Sequence, residues 1–155
     1  DVALIQGEYA SARAWYEGCL ALCKEIDEKT IMASALLGMG LVGLVENSPE
    51  AGEHILHSLR LRVEMGGQVP QTSSLVGVAG QALHEGNPTQ AARLLGAVEF
   101  AIKALNVVMG TVIKHLYVQT LAAVQEQLSV AAFQAAWEEG SQWSLEESVK
   151  LALEG

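Results

Sequence analysis

Basic side chains are scarce: nine Lys and Arg stand against 18 Asp and Glu, leaving a net charge of −9. A nucleic-acid or anionic-membrane surface needs clustered cations, and the nearest thing to a cluster is Arg60 with Arg62, so direct DNA binding is not expected. Cysteine is limited to Cys19 and Cys23, which excludes a disulfide framework or a four-cysteine zinc site. Their spacing predicts two small, semi-buried thiols facing one another along a helix in a reducing cytosol. Aromatics make up only 5% of the chain, while the 50% that is apolar is dominated by Ala, Leu and Val, with 15 glycines besides. That mixture suits closely packed helices better than a sheet. There are three prolines, each where a helix could begin. The longest apolar run, Ile31 to Val45, is shorter than the roughly 20 residues that span a bilayer and reads as a buried helix. No signal peptide is expected, and the expected location is the cytoplasm.

What the chain does contain is internal repetition. GEYASARAWYEGCLALCKEID from Gly7, ENSPEAGEHILHSLRLRVEMG from Glu46 and GNPTQAARLLGAVEFAIKALN from Gly86 align with Ala12, Ala51 and Ala91 in register. Leu20 then matches Leu59, and Ile26, Met65 and Leu105 coincide near the helix ends. Each segment carries an apolar stripe at helical period. Two further helices, about 30–45 and 71–85, lie between them. Ser48-Pro49 and Asn87-Pro88 place a capping side chain before a proline at the first helical position. Gly66-Gly67 and Gly86 sit where a helix end wants a left-handed residue. Downstream, Val112 to Leu128, Ser129 to Gly140 and a capping box at Ser144 with Glu147 predict three more helices. Only DVALIQ precedes Gly7, too little for a repeat helix, so the first unit is expected to be truncated.

These helix–turn–helix units resemble tetratricopeptide repeats, with HEAT-type pairing as the alternative, although their spacing exceeds the usual ~34 residues. Small residues stand at the helix-crossing positions of that motif, among them Gly40 and Ala79. GEYASARAWYEGCLALCKEI, LVGVAGQALHEGNPTQAARLLGAVE and VAAFQAAWEEGSQWSLEESVKLAL further resemble the C-terminal region of large bacterial signal-transduction ATPases and transcriptional regulators. In that family the helical array accompanies a LuxR-type DNA-binding, nucleotide cyclase or kinase domain. The resemblance implies a sensory or regulatory arm and brings no ATPase or DNA-contacting residue into this chain. The expected architecture is all-α, a right-handed superhelical stack of about seven to eight helices. Residues 1–106 would form the repeats and 107–155 the capping helices.

Several motifs suggest chemistry and are better read structurally. GMGLVG, Gly38 to Gly43, spells the dinucleotide fingerprint, but it lies inside a helical run rather than at a strand-to-helix turn. His54 and His57 stand one turn apart beside Glu50 and Glu53, with no convergent third and fourth metal ligands. His84 suits a helix end, where a cation complements the dipole. Glu138-Glu139 and Glu146-Glu147 are adjacent on helices and cannot face one another as acid and base. Ser73-Ser74 has no histidine within helical reach. Trp137 and Trp143 are expected to lock the last helices to the repeats.

The expected function is therefore non-catalytic, with no cofactor or metal: a protein-interaction and regulatory domain that binds a protein or peptide segment. A concave surface lined by helices 30–45 and 71–85 would receive the partner, with Val76, Gly80 and His84 facing it. The alternatives are small-molecule effector sensing between the helices and self-assembly through the truncated first repeat.

Overall fold

The structure is a computed structural model that describes residues 7–155; residues 1–6, on which the expectation of a truncated first repeat falls, lie outside the described residues. Among the described residues the chain forms eight helices and no strand. They are α1 Tyr9–Ile26, α2 Lys29–Val45, α3 Ala51–Glu64, α4 Gln68–His84, α5 Pro88–Leu105, α6 Thr111–Gln127, α7 Val130–Ser141 and α8 Leu145–Glu154. The chain is all-α, with the helix count the sequence predicts. No helix among the described residues is long and apolar enough to cross a membrane.

Local chemistry sets most boundaries. Asn87 accepts the Gln90 N–H with Pro88 at the first helical position, and Ser129 accepts the Ala132 N–H. Gly66 and Gly86 adopt φ of 75° and 78°, and Asn47 takes the same left-handed role at φ 55° after α2. Ser48 is an exception to the expected capping. Ser48 to Glu50 close a tight turn in which the Ala51 N–H donates to the Ser48 carbonyl at 3.2 Å, so α3 begins only at Ala51.

The capping box of α8 is complete. The Glu147 N–H donates to the Ser144 hydroxyl at 3.1 Å, and the Ser144 N–H donates to the Glu147 carboxylate at 2.7 Å. Backbone donation from Ser144 holds the Glu147 carboxyl below its ordinary pKa. Ser144→Ala should cost about 1 kcal/mol in urea melts. The Glu147 half of the box is present above the ordinary carboxylate pKa and lost as pH falls through the depressed one.

Helices α1 to α5 pack as successive neighbours. The glycines of GMGLVG lie in the buried centre of α2. A Cβ on Gly38 would enter the Tyr16 ring, on Gly40 the Ile55 side chain, and on Gly43 would come within 2.9 Å of the Ala51 Cβ. They allow α1 and α3 to approach α2 closely. A buried polar link joins three helices: the Ser58 hydroxyl donates to the Ala33 carbonyl at 2.7 Å and stands 3.0 Å from the Ser74 hydroxyl.

Beyond α5 the succession changes. Helix α6 lies on α4 and α5, α7 scarcely touches α6 and runs along α5, and α8 returns to α3, α4 and α5. The main core draws on α3 through α8, with Leu59, Leu75, Leu95, Val98 and Val124 fully buried. Trp137 and Trp143 are half-buried against it, and Phe133 packs on Trp137 with ring centroids 5.4 Å apart. A smaller cluster of Ala12, Tyr16, Ala35, Met39 and Val42 joins α1 to α2.

Candidate functional site

Val76, Gly80 and His84 share one face of α4 but form no open row. Val76 is sealed in the main core. Gly80 is covered, because a Cβ there would meet Leu44 of α2 and Leu116 and Thr120 of α6 at 3.5–3.8 Å. Only His84, in the last turn of α4, is exposed. The physical reason is α6, whose Val112, Ile113 and Leu116 pack against Leu37, Leu41 and Ile55 and so fill the hollow that α2 and α4 would otherwise line.

An exposed apolar stripe lies elsewhere, on α1. Trp15, Leu22 and Ile26 recur along one stripe of that helix, and Ile31 of α2 extends it; Trp15 is 62% exposed. Gly18 lies beside the stripe, and a Cβ there would meet nothing within 4 Å. The repeat register shows how this stripe differs from its counterparts. The positions matching Cys19 and Leu22 are Ser58 and Leu61 in α3, and Val98 and Ala101 in α5, and all four are buried. Leu61 packs against Ala33 and Leu36 of the preceding helix α2. Among the described residues no helix stands before α1 in the same way.

Cys19 and Cys23 face one another across one helical turn with their sulfurs 4.0 Å apart. Cys23 is buried and its thiol is pushed up in pKa, chiefly by desolvation. His54 and His57 lie on α3, half-buried and exposed respectively. A wider cleft of about 310 Å³ lies where Gly155 and Leu151 approach α3 and α4. In its wall the Gln81 amide donates to Glu85 at 2.6 Å, while its carbonyl oxygen is buried without a partner among the described residues.

One side chain of consequence stands out only in three dimensions. Arg62 occupies the repeat position held by Cys23 in α1 and Ile102 in α5, and only 7% of it is exposed. Its guanidinium donates to the Pro70 carbonyl at 2.6 Å and, more weakly, to the Ser34 hydroxyl at 3.4 Å. No carboxylate among the described residues pairs with it. Burial pushes its pKa down to about 10, so the side chain remains a cation at neutral pH. It lines a cleft of about 150 Å³ between α1, α2, α3, α4 and α6, together with Tyr16, Ser34 and Ser73. The signal in the sequence was a charge at a register position where the sister repeats place Cys and Ile.

Comparison with known proteins brings no match: no family model, curated protein or solved structure matches this chain.

Proposed function

We propose that the chain is a non-catalytic protein-interaction and regulatory domain of a larger, cytoplasmic bacterial signalling or transcriptional regulator, and that α1 is its docking helix. The observation that carries this reading is the exposed Trp15–Leu22–Ile26 stripe, at whose centre Leu22 is open while its counterparts Leu61 in α3 and Ala101 in α5 are buried. In those repeats the cover is a helix rich in small residues, α2 or α4. The occupant proposed for α1 is therefore a protein segment folded as an amphipathic helix with small residues at its crossing point over Gly18. Glu25, exposed on α1 at the edge of the stripe, favours Lys or Arg flanking that segment. The likeness of AARLLGAVE and AAFQAAWEEG to signalling-regulator arrays supports the regulatory setting.

A synthetic peptide of residues 68–84, the sequence of a covering helix, is a direct probe. It should blue-shift the emission of Trp15, and a photocrosslinker placed at position 15 should capture it. Leu22→Glu should remove both signals while leaving stability within about 0.5 kcal/mol, as expected for an exposed position. Unchanged Trp15 emission at millimolar peptide would count against α1 as the docking helix. Effector sensing is the second reading, favoured by the cleft at Arg62.

A further inference from the structure

A cation buried without a counter-charge is costly, because it has left water and gained no ionic partner. Arg62 is in that position. Of the five N–H groups of a guanidinium, two are engaged by Pro70 and Ser34. Its cleft is also lined by Ser34, which already bonds Thr30 and Arg62, and by Ser73, whose hydroxyl has no hydrogen-bond partner among the described residues. The remaining wall is apolar, formed by Leu37, Val112 and Ile113. A cationic fork, a free hydroxyl and aliphatic side chains lining one cleft match a molecule with a planar anionic head and a short hydrocarbon tail.

We propose that this cleft binds a small organic carboxylate, held by Arg62 through its free N–H groups and by the Ser73 hydroxyl, with its tail against Val112 and Ile113. The size agrees. A volume of about 150 Å³ holds about five heavy atoms at roughly 30 Å³ per water-sized group. A carboxylate matches the guanidinium fork with two parallel hydrogen bonds, and a short aliphatic chain suits the aliphatic part of the lining. Inorganic phosphate offers the same charge but would leave the apolar wall without a partner. Because the walls belong to five helices, the ligand ties the α1–α2 end of the molecule to α6, which gives a regulatory domain a place to sense an effector. This site does not depend on the docking surface of α1.

The test uses the intact chain with propionate, its neutral counterpart propionamide and inorganic phosphate, at matched ionic strength. Propionate should raise the melting temperature of the wild type in a saturable way, propionamide should not, and phosphate should act more weakly than propionate. Arg62→Met should fold, since it removes a buried charge, and should lose the propionate response. Arg62→Lys, which keeps the charge and loses the fork, should bind propionate at least ten-fold more weakly; it also serves if the methionine variant fails to fold. Any of four results overturns the proposal: no response to propionate at 100 mM, an equal response to propionamide, a stronger response to phosphate, or an undiminished response in Arg62→Lys.

Discussion

Gly140→Ala is expected to destabilise the protein by about 3 kcal/mol, the upper part of the range for overpacking a well-filled interior. Alanine is normally the better helix former by about 1 kcal/mol, so propensity alone gives the opposite sign. The contact between α5 and α7 reverses it. A Cβ on Gly140 would overlap the Arg93 backbone carbonyl, and a Cβ on Gly96 would lie 2.5 Å from the Trp137 carbonyl oxygen. The two helices run antiparallel with their backbones in contact at both glycines, and the Arg93–Glu139 ion pair at 2.8 Å flanks the seam. Backbone cannot rotate aside as a long side chain can, so the cost is met by separating the helices. Gly18→Ala is the control, since the space there is open; it should stabilise α1 by up to about 1 kcal/mol. Urea denaturation of the two variants should show midpoints displaced in opposite directions. Equal gains at both positions would mean that α7 does not lie on α5 in this way.

Leu95→Ala should cost roughly 2–5 kcal/mol, the range for truncating a fully enclosed leucine and leaving its cavity. Leu95 is wholly buried in the main core, and its repeat counterparts Ile55 and Tyr16 are buried as well. The same register position therefore supplies a large inward side chain in all three units. A urea midpoint close to that of the wild type would overturn the register of α5.

The elements themselves were legible because each rests on local chemistry. The apolar stripe at Ala91, Leu94/Leu95, Val98 and Ile102 and the caps at Asn87, Ser129 and Ser144 are fixed by neighbours a few residues away. The Ser48 cap failed for an equally local reason, a turn that delays α3 to Ala51. What was not legible depends on distant contacts. The repeat frame places Val76 and Gly80 on an open groove, and nothing within α4 reveals that Leu116 and Thr120 will cover it. Gly96 and Gly140, 44 positions apart, give a recognisable signal only as a pair, once α7 is known to lie on α5 rather than α6. The charge of Arg62 was visible, but its lack of a carboxylate partner among the described residues is a property of the packed interior.

The return of α8 to α3 and α4 changes how the molecule comes apart. In a stack joined only through nearest neighbours, either end can fray and the loss can propagate inward. Here the last helix rests on one in the middle of the array, so α3 to α8 form a closed loop that opens as a unit. Closing that loop brings together segments far apart in sequence, a step expected to slow folding. Helix α1, held through α2, stays outside the loop. Its amides should exchange at the lowest free energy and proteases should cut there first, while the amides of α5 exchange only with global unfolding.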